Sequence, residues 1–175
     1  MAQLGSTRLL GGAAVLLAVI VLLVYWRPWK TDFSPQDLLE VALSADDAQQ
    51  RAAAASQLAA RGNAARVELR QLLAQSQDAA VTAVAVQGLA EIWDHHSMPE
   101  MIDAMNHESG LVRGRAVNAV ERILGAEVGL YSNTDDQRRR QLIVQLQRDW
   151  QVRSQSSGVI ERLDMLAAQS GEAGN

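Results

Sequence analysis

RAAAASQLAARG (51–62), TAVAVQGLAEIW (82–93) and RGRAVNAVERIL (113–124) begin 31 residues apart, twice in succession. Self-similarity at a fixed period of this size marks stacked helical units, because each unit has an apolar face that only its neighbour can cover. In register, Ala54, Ala85 and Ala116 correspond, as do Ala55, Val86 and Val117, and Leu58, Leu89 and Val120. Spacings of three and four put these positions on one helical face, and all nine are expected in the core. Asp47, Asp78 and Ser109 fall in register at the helix starts, where a side-chain oxygen accepts the orphan amide protons of a first turn.

Between the echoes lie the expected partner helices. One covers about 64–75 with Val67, Leu69, Leu72 and Leu73 inward, after a break at Gly62 and Asn63 that permits left-handed backbone. The other covers about 98–107 with Met98, Met101, Ile102 and Met105, opened by a capping box in Ser97-Met98-Pro99-Glu100. The third unit departs from the pattern. A longer loop, GAEVGLYSN (125–133), offers Leu130 and Tyr131 as a lid, and Thr134 is expected to cap a helix carrying Leu142, Ile143, Leu146 and Trp150.

Upstream, Ser34-Pro35-Gln36-Asp37 combines a capping residue, a first-turn proline and an acid three places on. A helix over 35–44 is expected to cap the open end of the stack. Downstream, Val159, Ile160, Leu163, Leu166 and Ala167 mark a closing helix within 155–169, and 170–175 reads as a mobile tail.

Composition agrees with an all-helical body. The 175 residues suit one domain plus an appendage; 48% are apolar but only 4% aromatic, and alanine dominates, which favours helices packed closely over small side chains. Residues 1–30 carry three bases and no acid, so the remainder holds 13 bases against 20 acids, a net charge of −7. An acidic body repels phosphate backbones, and no nucleic acid is expected as partner. With no cysteine, disulfides and thiolate metal sites are excluded.

Residues 9–26, LLGGAAVLLAVIVLLVYW, run 18 positions without a charge, about 27 Å of helix at 1.5 Å per residue, close to the hydrocarbon thickness of a bilayer. Tyr25, Trp26, Arg27, Trp29 and Lys30 then suit a lipid–water interface. A cleaved signal would need small residues after the apolar run, and YWRPWK supplies none. The expectation is therefore a leader (1–8), a transmembrane anchor (9–26) and a linker (27–33). The flanking charges nearly balance, with a lean towards an outward, periplasmic domain.

The Asp-initiated, alanine-rich helix alternating with a shorter antiparallel partner resembles HEAT repeats, in the short form seen in phycobilin-lyase-like proteins, over about 45–150. The resemblance implies a right-handed α-solenoid of about three helical hairpins over 34–154. In that family the second helix of each pair usually lines the concave side, which would place Arg66, Arg70, Asp103, Asn106, Arg138 and Gln141 on a partner-binding surface. HEAT-like folds serve scaffolds, phosphatase subunits, bilin lyases and a DNA glycosylase type. Thr82 departs from the pattern, standing where Arg51 and Arg113 stand in the neighbouring units.

Other clusters have plainer readings. His95 and His96 with His107 suggest a metal site, but adjacent histidines on a helix point about 100° apart, so a solvated turn is expected, with Asp94 in turn hydrogen bonds. Asp135 and Asp136 suit a helix start, and Arg138, Arg139 and Arg140 a solvated face. Arg51 is accounted for by Asp47 one turn earlier. Trp93 and Trp150 are expected in packing. No nucleophile–base pairing or phosphate-cradling loop is present, so neither catalysis nor a cofactor is expected. The function implied is a membrane-tethered interaction scaffold or adaptor; the alternative is a lyase-like or enzyme-accessory domain holding a small ligand in the concave groove.

Overall fold

The computed structural model describes residues 33–130 and 134–172. Among them the secondary structure is helical throughout: α1 (Pro35–Ser44), α2 (Ala48–Ala60), α3 (Arg66–Gln75), α4 (Ala79–Glu91), α5 (Met98–Ala104), α6 (Gly110–Leu124), α7 (Asp136–Arg153) and α8 (Ser157–Glu172). Short 3-10 turns, Gly62–Ala65 and His95–Ser97, lead into α3 and α5. All these helices belong to one compact unit, Ser34–Asn175. The expected anchor at 9–26 and the lid residue Tyr131 lie outside the described residues. No described helix is long and apolar enough to cross a membrane.

Local chemistry explains most of the helix starts. At α1 the Ser34 hydroxyl accepts from the Asp37 amide (3.2 Å) and the Asp37 carboxylate accepts from the Ser34 amide (2.9 Å), a full capping box. Asp47 accepts from the Gln49 amide, and Asp78 from the amides of Ala80 and Val81. Ser109 stands at the start of α6 but makes no side-chain cap, and Ser97 likewise makes none at α5. The start of α7 belongs to Asp135, which accepts from Gln137 and Arg138, and not to Thr134. The stronger acceptor, a carboxylate one residue closer to the first turn, takes the orphan amides. Gly62 turns the chain with φ of +56°, as its position between α2 and α3 requires.

Packing follows the echo. α4 lies between α2 and α6, while α3 packs on α4 and α1, and α5 on α6 and α7. Eight of the nine expected core positions are buried; Val117 is half-buried against the same core. Gly88 shows how close the first two echoes come. A Cβ there would stand 3.1 Å from Ala59 Cβ and 3.3 Å from a Leu69 methyl, so only hydrogen fits comfortably. Met98, Met101, Ile102 and Met105 are fully buried as expected, whereas Val67 is 59% exposed, because its place on α3 faces away from both α1 and α4. The closing helix contributes Leu163 and Ala167 to the core and continues through 170–172, residues expected in the mobile tail. Leu130 is buried, which fits its expected role in the 125–133 loop.

Arg51 departs from expectation. It does not pair with Asp47; its guanidinium donates to the carbonyls of Ala45 and Asp46 and reaches Asp78, 27 residues on, at 2.7 Å. That single side chain ties α2 to the capping residue of α4. The Asp78 carboxyl is held below the usual carboxylate range, first by the hydrogen bond from Arg51. Arg113 repeats half of this arrangement, donating to the carbonyls of His107 and Glu108. Thr82, between them in register, is buried and turns its hydroxyl back to the Asp78 carbonyl.

Candidate functional site

The six residues expected on one binding face divide into three groups. Arg66 and Arg70, on α3, converge on Asp94 in the turn after α4. Arg70 makes a two-pronged contact, with Nε 2.8 Å from Oδ2 and its terminal nitrogen on Oδ1, and Ser97 donates its hydroxyl to Oδ2 at 2.5 Å. Arg66 approaches to 3.9 Å and bonds Asn63. Asp94 is 2% exposed. Burial alone would raise its carboxyl, but the hydrogen bonds from Arg70 and Ser97 and the charges of both arginines outweigh it and hold the group ionised below its ordinary range. A buried carboxylate needs such partners, so these two arginines serve the fold before any visitor. Sequence reading missed the pairing because 24 residues separate Arg70 from Asp94 and no local pattern links them.

Asp103 and Asn106 are brought together. They line a shallow groove of about 340 Å³ whose walls also include Leu73, Ser76, Glu100 and His107. The groove opens where α3 and α5 share little direct contact. Its carboxylates are Glu100 and Asp103; Asp103 accepts a hydrogen bond from Gln147 of α7 at 2.5 Å, which ties the third unit to this wall. Arg138 and Gln141, on the first turns of α7, are exposed and line none of this groove. The arrangement is open and polar over an apolar floor, suited to receiving a side chain or an extended segment.

The histidine turn differs from the solvated turn expected. His95 is 4% exposed, its ring centroid 4.2 Å from that of His96, and neither of its ring nitrogens has a hydrogen-bond partner. The two histidines stand in a 3-10 turn, and their side chains bend towards each other so that the rings meet at a 34° tilt. The backbone turns sharply just before: Trp93 has φ of +54°, a left-handed conformation for a bulky residue, and its ring stacks under the Arg122 guanidinium at 5.2 Å. Burial, then the neighbouring His96, lowers the pKa of His95, so it is a neutral imidazole at pH 7. Asp164 of α8 faces it, Oδ1 3.6 Å from Nε2. His107 is elsewhere, its Nδ1 accepting from the Ser109 amide.

A further hollow of about 410 Å³ lies between Trp93, Trp150 and Leu166, with Arg122, Arg153 and Arg162 among its lining. Both tryptophans were expected in packing; Trp150 is buried and Trp93 half-buried, and each leaves a face on this hollow. Compared with models of protein families, with curated proteins and with solved structures, the chain matches none, so its function rests on the chemistry of these residues.

Proposed function

We propose that the chain is a non-catalytic interaction module: a HEAT-like, right-handed α-solenoid of about three hairpins, tethered to a membrane by residues 9–26, that receives a basic segment of a protein partner. The observation that carries this reading is the open groove between α3 and α5, where Glu100 and Asp103 present carboxylates on a body of net charge −7. The regular contacts of α2, α4 and α6 support the solenoid reading. A tether confines the module near its neighbours, so that a modest intrinsic affinity suffices through effective concentration. Arg66 and Arg70 act as the frame of the groove by holding Asp94, and Asp103 and Asn106 as contact residues.

The test uses a photo-crosslinking amino acid in the full-length chain, placed at Asn106 in the groove or at Arg148 on α7, in membranes of the producing cell. The expected result is a partner captured from Asn106 alone and lost when Asp103→Arg and Glu100→Arg reverse the groove's charge. Equal capture from both positions, or capture unaffected by the reversal, would count against it.

One observation favours a second reading. The hollow ringed by Arg122, Arg153 and Arg162 over two tryptophans suits an anionic small molecule with an apolar body, which moves the ligand-binding alternative out of the groove. Saturable binding of such a ligand, quenching tryptophan fluorescence and weakened by Arg122→Ala, would support it.

A further inference from the structure

His95, His96 and Asp164 are not among the residues lining the groove or the tryptophan hollow, although Trp93 and Leu163, close by in the chain, line the hollow. They join two parts of the chain almost 70 residues apart, the turn before α5 and the middle of α8. One ligand atom from each lies within 4.8 Å of the other two. In a tetrahedral zinc site, with ligands about 2.0–2.1 Å from the ion, neighbouring ligand atoms are about 3.3 Å apart. The His95–Asp164 pair, at 3.6 Å, is already near that spacing. His96 and Asp164 are exposed, with the rotamer freedom to close the remainder.

The independent observation is His95 itself. Buried polar atoms in folded proteins nearly always make a hydrogen bond, yet neither nitrogen of this buried ring makes one of good geometry, with the Trp93 backbone and the Asp164 carboxylate as its polar neighbours. Imidazole nitrogen is a common ligand of zinc-class ions, and the Asp164 carboxylate lies 3.6 Å from Nε2 of this ring. The second imidazole, tilted 34° to the first with ring centroids 4.2 Å apart, stands on the same side, and the carboxylate supplies the negative charge that a divalent cation needs.

We propose that His95, His96 and Asp164 bind a divalent transition-metal ion of the zinc class, two imidazole nitrogens and one carboxylate oxygen leaving a fourth position for water. The ion satisfies the lone pair of a ring that otherwise makes no hydrogen bond of good geometry and clamps α8 onto the turn between α4 and α5. Among its described residues α8 holds to the core through buried Leu163 and Ala167, through Val159 and Leu166 packed against it, and through one hydrogen bond from Asn63 to the Ala167 carbonyl, so a metal clamp adds to a modest set of ties. This proposal does not rest on the interaction groove.

The experiment takes the full-length chain in detergent, without a polyhistidine tag, stripped with a chelator and titrated with zinc chloride by calorimetry, then with cobalt as an optical probe. One equivalent of zinc is expected, with tetrahedral cobalt absorption and slowed amide exchange across α8. His96→Ala and Asp164→Asn, both exposed and tolerable to the fold, are each expected to weaken binding at least about tenfold, and His107→Ala to leave it unchanged. No saturable zinc binding overturns the proposal. So does binding that survives both ligand substitutions, or that falls with His107→Ala, since the ion then sits elsewhere. His95→Ala is left out of the decision because a buried ring is removed with it.

Discussion

The echo helices α2 and α4 and the closing helices α7 and α8 share one core and are packed by different means. Around α2 and α4 the helices approach closely over small residues, a Cβ at Gly88 would stand 3.1 Å from that of Ala59, and Leu58, Leu69, Leu72 and Leu89 are sealed from water. Around α7 and α8 the core positions are Ile143, Trp150, Leu163 and Ala167, which keep 6–8% of their surface exposed beside a hollow of about 410 Å³. The ion-pair tie differs as well. Arg51 finds Asp78 at the next helix start, whereas the helix following Arg113 begins after a long loop, and Arg113 is left with the carbonyls of His107 and Glu108. Small residues and an exact period let helices close ranks; a longer loop and larger rings fill space less completely and leave room for ligands.

That contrast can be broken or sharpened by substitution, beginning with the largest effect. Leu89→Ala, in the sealed region, is expected to cost ~2 to 5 kcal/mol in denaturant unfolding, and Leu163→Ala, in the looser one, distinctly less, because a partly open site loses less on truncation. Equal losses would erase the distinction. Gly88→Ala is expected to cost about 1 to 3 kcal/mol from overpacking against Ala59 and Leu69, although helix propensity alone favours alanine by about 1 kcal/mol. Gly114→Ala on α6, where a Cβ meets nothing within 4 Å, should show the propensity gain. A stabilised Gly88→Ala protein would mean that the first two echoes are not in close contact.

Next comes the tie itself. Arg51→Ala is expected to cost about 1 kcal/mol, the value of a partly exposed pair with added carbonyl bonds, and Arg113→Ala less than that. The smallest expected effect is in the pH profile. Because the folded Asp78 carboxyl titrates below its unfolded value, near 3.9, the tie contributes fully above that pH and is lost progressively as the pH falls below it through the depressed folded value. The difference in stability between the parent and Arg51→Ala should therefore shrink on acidification from about pH 5 to pH 3, and a constant difference would show that the carbonyl bonds carry the effect.

Much of the helical body was legible in the chain. Periodic alanine, valine and leucine located the core of α2, α4 and α6, and the Ser34, Asp47 and Asp78 caps located three helix starts, since both signals act within one or two turns. The candidate site was legible only in part. Asp103 and Asn106 meet in the groove, but Arg66 and Arg70 are committed to Asp94, and Arg138 and Gln141 lie off it. The histidine pair was noticed for its chemistry and set aside for the angle between neighbouring side chains, while the arrival of Asp164 from α8 had no local signal.

The sequence by itself determined the all-helical class, the 31-residue period, the acidic charge of the body and the identity of most of its core. Local propensity, capping and periodicity depend on neighbours a few residues away, so these are written along the chain. Only the tertiary structure decided that Arg51 binds Asp78 and not Asp47, that Arg70 guards a buried carboxylate, that a bond from Gln147 braces Asp103, and that Asp164 arrives beside His95. Each joins residues far apart in the chain, and which partner wins depends on distances set by packing and on the cost of leaving a buried charge or ring alone.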